Sequence, residues 1–254
     1  MEAPHQALPA ESYDAQWSRL GDYIRFNPGA RHRRRLMRAL LRGKTFQTVL
    51  DAGCGLGEGL MELRRAFPGI TRLVGVDFAE DTVRKNRAAM PRFEFEVLDI
   101  QRNILNQRFD LVVCSEVIEH LEDRRAAFAN LTHMVAPGGY LLVMCPTGKL
   151  FATERHFGHV SHPDADELQR LAKDCGLMEE RLIQWGFPVY QFLKEVTNVS
   201  PEWSIRNFAA GRYGLFKRAL NHALYAASFV SFPFRGKGCQ LFALFRKPVE
   251  DSGL

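Results

Sequence analysis

No 18-residue stretch of this chain is both apolar and free of charge, which argues against a membrane-spanning helix. Cysteine is scarce and odd in number: five residues, at 54, 114, 145, 175 and 239. They form no CxxC pair, so neither a disulfide framework nor a zinc site is expected. The opening segment "MEAPHQALPAES" has no basic-then-apolar signal pattern. Reduced thiols in a cytoplasmic protein are the expectation. Repeats, low-complexity linkers and RNP-like aromatic motifs are also missing, so a separate nucleic-acid module is not expected.

The charge balance is modest, at +5 over 254 residues, but it is uneven. The run "RHRRRLMRALLRGK" (31–44) carries most of the excess. Leu36, Met37, Leu40 and Leu41 give it a helical apolar stripe, so a packed helix with a solvated basic face is favoured over an anion-binding surface.

From residue 46 apolar runs alternate with amphipathic ones. "TVLDAG", "RLVGVD", "FEFEVLDI", "FDLVVCSEV" and "GYLLVMC" read as strands, and "LMEERLIQWGF" and "CQLFALFRK" complete a set of seven. "GLMELRRAF", "AEDTVRKNRAAM", "DRRAAFANLTHMV" and "DADELQRLAKDCG" read as the intervening helices. The second-last of these is expected to stop at the turn "APGG"; Asp164 is the expected cap of the last, with Gly176 as its stop. Short apolar strands separated by helices predict an α/β fold with a parallel, doubly wound sheet. The expected division is an N-terminal helical extension or lid (1–45), a core (46–186), an insertion for substrate or lid (187–237), and a last strand and tail (238–254).

The stretch "VLDAGCGLGEG" (49–59) places glycines at 53, 55, 57 and 59 after an apolar run, with Asp51 before them. Glycine permits close backbone approach, and a helix start offers free N–H groups. The dinucleotide pattern G-x-G-x-x-G fails in every register, because its last position falls on Glu58, Leu60 or Glu62. Asp77 ends the second strand, where a carboxylate suits ribose hydroxyls. Asp99 ends the third, where one suits an adenine amine. Together these residues describe a nucleoside ligand without a phosphate.

Here "VLDAGCGLGEG", "GVDFAED", "VLDI", "FDLVVCSEVIEHLED" and "MVAPGGYLLVM" resemble the successive motifs of class I S-adenosylmethionine-dependent methyltransferases, over roughly residues 45 to 185. The resemblance implies a Rossmann-like seven-stranded sheet, mostly parallel with an antiparallel last strand, and helices on both faces. It implies S-adenosylmethionine as cofactor. Asp51 and the Gly53, Gly55 and Gly57 backbone would hold its methionine part, Asp77 its ribose, Phe78 would lie beside the adenine, Asp99 and the Ile100 N–H would read the adenine edge, and Ser115 would face the cofactor near the sulfonium. Tyr13 and Trp17, in "SYDAQW", would cover it.

"SEVIEHLED" (115–123) supplies Glu116, Glu119 and His120, and "RHFGHVSHP" supplies His156, His159 and His162. The expected catalytic set is His120, His159 and Glu116, with an imidazole acting as base or orienting the acceptor. The E-x-x-E-H spacing also resembles ubiquinone-biosynthesis O-methyltransferases and small-RNA 2′-O-methyltransferases that use a divalent cation. That makes Glu116, Glu119, His120 and His159 candidate ligands, although a metal-free site is favoured and Glu119 has a plainer reading as a helix cap. The favoured function is O-methylation of a small-molecule or lipid-like acceptor. Nucleic-acid methylation and non-catalytic cofactor binding are the alternatives. The stripe Leu215, Phe216, Ala219, Leu220, Ala223 and Leu224 reads first as a lid helix packed on the core, and second as an apolar channel or interfacial helix touching a membrane surface.

Overall fold

The computed structural model describes residues 8–17, 20–209, 211–234 and 236–249, so the expected tail beyond 249 lies outside the described residues. Three helices come first: α1 (Ala10–Trp17), α2 (Gly21–Phe26) and α3 (Pro28–Leu40). The core follows as β1 (Thr48–Ala52), α4 (Glu58–Ala66), β2 (Arg72–Asp77), α5 (Glu80–Ala89), β3 (Glu94–Val97), β4 (Phe109–Ser115), α6 (Arg124–Met134) and β5 (Val135–Pro146). Then come α7 (Ala152–His156), α8 (Ala165–Asp174) and β6 (Met178–Gly186). Three more helices, α9 (Val189–Thr197), α10 (Pro201–Ser204) and α11 (Leu215–Ala227), precede β7 (Gly238–Arg246).

The strands form one sheet in the order β3-β2-β1-β4-β5-β7-β6. The first five pair in parallel, and β7 runs antiparallel between β5 and β6. Successive side chains of a strand point to opposite faces, and the apolar runs fill both. Leu50 and Val112 join Phe128, Leu131 and Leu168 on one side. Val49, Leu111 and Val113 join Leu36, Leu40, Leu60 and Leu63 on the other. A fully buried side chain of this size contributes about 1.5–3 kcal/mol, so continuous apolar strands are what this double-sided burial requires.

Two local expectations shift. The turn expected at "APGG" is instead a bulge within β5: two steps along β4, Phe109 to Leu111, face five along β5, Val135 to Tyr140. The third strand stops at Val97, and Leu98 N–H continues to the Asp77 carbonyl. The cap expected of Asp164 is present, its carboxylate accepting from Glu167 N–H at 2.7 Å, and Gly176 follows with φ of +72°.

Strand order reverses at β1, between β2 and β4. In such sheets ligands bind beyond the strands' carboxyl ends at the reversal. The glycine loop, Asp77, Asp99 and the segment after β4 all lie there.

Candidate functional site

The loop after β1 turns back on itself through Gly53, Gly55 and Gly57, all with positive φ. A Cβ on Gly53 would come within 2.2 Å of Val117 Cγ2, which ties the loop closely to the segment after β4. Trp17 lies against Gly55, Met90 against Gly57, and the Asp51 carboxylate against Gly59. Asp51 is buried, and its burial, with Asp77 nearby, raises its carboxyl to about 7.

Asp77 anchors this loop. One oxygen accepts from Gly55 N–H at 2.9 Å and the other from Ala79 N–H at 3.0 Å. A carboxylate has about four acceptor sites, so capacity remains for a diol. Burial raises the Asp77 carboxyl, and these backbone donors pull it partly back. Phe78 follows, half exposed, with the Tyr13 ring edge-on at 5.1 Å. Asp99 accepts from Gln101 N–H at 2.9 Å, and the Ile100 carbonyl accepts from the Asn130 side chain. Asp14, beside Tyr13, accepts from Thr82 N–H at 2.7 Å, which pins α1 to α5.

After Ser115 the chain enters a strained turn. Glu116 has φ of +56°, and it is the one non-glycine with positive φ among the described residues. Such backbone costs of order 1–3 kcal/mol and persists only where surroundings impose it. Arg33 of α3 imposes part of it, its guanidinium lying 3.1 Å from Glu116 Oε2. Burial raises the Glu116 carboxyl, while Arg33 opposes that shift. Glu119 is completely buried, and among the described residues neither of its carboxylate oxygens has a hydrogen-bond partner. Burial, then Glu116, pushes its carboxyl well up. It does not cap the next helix: Asp123 does, accepting from Ala126 N–H at 2.9 Å.

His120 Nδ1 hydrogen-bonds the Tyr13 hydroxyl at 2.8 Å. The His159 ring lies 4.6 Å from that of His120, and its Nδ1 pairs with His162 Nε2 at 3.0 Å. Burial lowers His120 and His162 to about 4, and lowers His159 much further. All three rings are therefore neutral at neutral pH. His156 is exposed at the end of α7 and stays outside the group. Glu154 pairs with Lys194 and lies 3.6 Å from His162. Ligating atoms of Glu119, His120 and His159 all lie within 4.8 Å of one another, as do those of Glu154, His159 and His162. The orphaned Glu119 carboxylate suits a cation. Glu116, the other candidate carboxylate, is already held by Arg33.

One cavity of about 1160 Å³ unites these groups. Gly53, Asp77, Phe78, Asp99, Ile100, Ser115, Glu116, His120 and His159 all line it. Asp51, Gly55 and Gly57 are not among its lining residues, because Trp17, Met90 and the tight turn cover them. Away from the strand ends the walls carry apolar side chains: Leu193 and Val196 of α9, Trp203 of α10, and Leu220 and Leu224 of α11.

A family model described as a methyltransferase domain matches residues 23–180, more than half of the chain. The chain belongs to this methyltransferase family. Its place is in the class I S-adenosylmethionine-dependent superfamily. Trans-aconitate 2-methyltransferase of Deinococcus radiodurans is 32% identical over 120 residues, covering 47% of this chain and 45% of that one. Nodulation protein S of Rhizobium tropici is 31% identical over 118 residues, covering 44% and 48%. The chain thus spans about half the length of the curated relatives it matches. The N-methyltransferase NodS of Bradyrhizobium japonicum, solved with S-adenosyl-L-homocysteine, superposes with a TM-score of 0.60 at 22% identity, covering 94% of this chain and 97% of that one, and shows the shared fold.

The superfamily's cofactor fits what lines this cavity: two strand-end carboxylates, Asp77 and Asp99, with spare acceptor capacity, the Phe78 ring, and Gly53 of the glycine loop. Sequence reasoning missed Arg33, Glu154 and Lys194. Arg33 stands in a basic run, and its spacing to Leu36, Met37 and Leu40 is the local signal that marks it as inward-facing. The others lie on separate helices that meet only in the fold.

Proposed function

We propose that the protein transfers the methyl group of S-adenosylmethionine to an oxygen of a small, lipid-like acceptor. The observation that carries this reading is one cavity that has carboxylates and imidazoles at the strand ends and, through α9–α11, Leu193, Val196, Trp203, Leu220 and Leu224 interspersed with polar side chains such as Thr197 and Asn221. When bound, the cofactor supplies an activated methyl group. Asp77 and Asp99 would hold its nucleoside, with Phe78 beside the base. The acceptor's hydroxyl would lie at Glu116, His120 and His159, and its apolar body along Leu193, Val196 and Leu220. Neutral imidazoles accept a hydrogen bond from a hydroxyl and so aim it, and one of them can take up the proton that the hydroxyl gives up on methylation. Tyr13 fixes one of these rings.

The nucleic-acid alternative loses its main support. The arginines of α3 are engaged within the protein: Arg33 with Glu116, Arg38 with Glu62, Arg31 over Tyr225 and Arg35 over Phe229. The decisive experiment incubates the protein with isotopically labelled S-adenosylmethionine and fractionated lipid and small-molecule extracts. Formation of the demethylated cofactor only in the presence of acceptor, with label in a base-stable methyl ether or base-labile methyl ester, supports the reading. Label on nitrogen or in RNA refutes it.

A second reading, a divalent cation on Glu119, His120 and His159, is favoured by the orphaned Glu119 carboxylate. Chelator that abolishes turnover, with one added divalent ion restoring it, would establish that reading. Unchanged turnover in chelator supports the metal-free site.

A further inference from the structure

The stripe Leu215, Phe216, Ala219, Leu220, Ala223 and Leu224 was expected to bury as one face. The structure splits it. Asn221 is buried and Leu220 and Leu224 turn toward the cavity, whereas Leu215 and Phe216 are 85% and 80% exposed, and Ala219 and Ala223 are exposed with them. Positions 215, 219, 223 and 226 follow helical spacing, so α11 presents a second, apolar face to solvent. The cavity rim has the same character: Val199 is 84% exposed and Trp203 50%. The two regions are joined, since Asn207 donates to the Trp203 carbonyl and Lys217 donates to the Asn207 carbonyl. Trp203 also packs on Phe208, with ring centroids 5.5 Å apart.

The charge around this apolar surface is mainly basic. Between Glu202 and Gly238 the sequence holds six lysines and arginines and no aspartate or glutamate, although Glu195 and Glu202 are exposed at the rim and Arg218 lies 3.9 Å from Asp22. Arg206 and Arg212 are exposed on the segment between the rim and α11. Apolar side chains standing out between basic ones are the pattern of a helix lying in a lipid interface, with cations at anionic headgroups. A protein partner would not require the exposed Arg206 and Arg212 between apolar side chains, and nucleic acid would not require the exposed Leu215, Phe216, Val199 and Trp203.

We infer that α11 and the cavity rim form a docking surface for an anionic lipid bilayer, which places the cavity mouth against the membrane. The further step, that a lipid-like acceptor enters from that surface, rests on the function proposed above. Vesicle binding itself needs no acceptor, so the two stand or fall separately.

The test is flotation with vesicles of phosphatidylcholine alone or with phosphatidylglycerol, using the full chain. Wild type should float with the anionic vesicles and lose binding as salt rises. Leu215→Ser/Phe216→Ser, outside the cavity, should weaken partitioning at least about tenfold, from the lost apolar burial. Its affinity for S-adenosylhomocysteine should stay unchanged, showing that it is folded. Arg206→Glu/Arg212→Glu should weaken binding to anionic vesicles and leave binding to neutral ones as it was. The inference is overturned if wild type ignores anionic vesicles, or if the Leu215/Phe216 variant floats as well as wild type. It is equally overturned if wild type is a dimer that this variant converts to monomer without any vesicle binding, because a second copy would then be the occupant. Retention on nucleic acid in place of vesicles, undiminished in the variant, would overturn it too.

Discussion

Asp77→Ala separates two things that one carboxylate does. Its oxygens hold Gly55 N–H and Ala79 N–H at 2.9 and 3.0 Å in a buried setting. Truncation leaves two buried donors without acceptors. Each costs about 1–3 kcal/mol, so the loss of stability should be about 2–6 kcal/mol. For a domain of this size that is a fall in Tm of roughly 4–24 °C. If the remaining acceptor sites hold the ribose, cofactor affinity falls as well. A hydrogen bond to a charged group contributes about 1.5–3 kcal/mol, or roughly 10- to 150-fold in Kd. Titration calorimetry with S-adenosylhomocysteine, run well below the variant's Tm, measures the second effect free of the first. Asp77→Asn gives a milder comparison, because it keeps one acceptor oxygen and should lose less stability. A folded Asp77→Ala protein with wild-type affinity would refute the ribose assignment, and an unchanged Tm would refute the anchoring of the glycine loop.

Arg33→Met leaves the Glu116 carboxylate without its partner in a largely buried site, so it should cost about 2–4 kcal/mol, somewhat under the range for fully buried pairs. Arg33→Met/Glu116→Gln should recover much of that in thermal melts, and a double variant no more stable than the single would refute the pairing. Gly53→Ala must fit a Cβ at 2.2 Å from Val117 and hold φ at +77°, so a loss of about 2–4 kcal/mol in urea unfolding is expected, and a neutral effect would show that the loop relaxes freely. His120, held neutral with its pKa lowered to about 4, binds fewer protons folded than unfolded between about pH 4 and 6.5. Its contribution to stability is therefore full above about pH 6.5 and is lost as pH falls toward 4. His120→Asn should flatten that part of the stability profile, and an unchanged slope would remove His120 from it. Because the rings are already neutral, turnover should also be flat between about pH 6 and 8, without the histidine limb that an ordinary imidazole gives.

The fold was legible because its signals are local. Apolar runs at strand length, helices with caps such as Asp164, and turns at glycine each report on a few neighbouring residues. The strand-end residues were legible for a related reason: in a doubly wound sheet the parallel strands end at one crevice, so strand order brings Asp77 and Asp99 there, while Ser115 followed from the family resemblance. The rest of the cavity is different. Arg33, Glu154 and Lys194 meet Glu116 and the histidines only because α3, α7 and α9 fold over the sheet edge. Arg33 in "RHRRRLMRALLRGK" shares helical phase with Leu36, Met37 and Leu40, so the stripe itself turns it inward; what spacing does not give is its partner, Glu116, on a distant segment. The α11 stripe failed for a similar reason. Its periodicity was real, but the helix is used on two sides, and spacing does not tell a cavity wall from a surface.

Glu119 is the group whose burial is expected to cost the fold most, because nothing among the described residues pairs with it. Its carboxyl is completely buried, has no hydrogen-bond partner among the described residues, and is raised well above the ordinary carboxylate range by burial and by Glu116. Folded, it holds a proton that the unfolded chain releases near pH 4.3. Its contribution is therefore most favourable below that pH and is lost as pH rises toward the folded value. This slope is opposite in sign to that of His120. Glu119→Leu removes an unpaired polar group and should stabilise the protein at pH 7.5 by about 1–3 kcal/mol, or roughly 2–12 °C in Tm, with a smaller gain at pH 4.5. Melts at the two pH values in chelator check it. Greater loss at pH 7.5 than at pH 4.5 would mean that Glu119 is ionised and paired in the folded protein, and the reasoning would fail. If the gain appears in chelator but reverses on adding one divalent ion to wild type, the carboxylate is a metal ligand. If the gain is indifferent to metals and turnover is unchanged, the carboxyl is neither a metal ligand nor needed by the reaction.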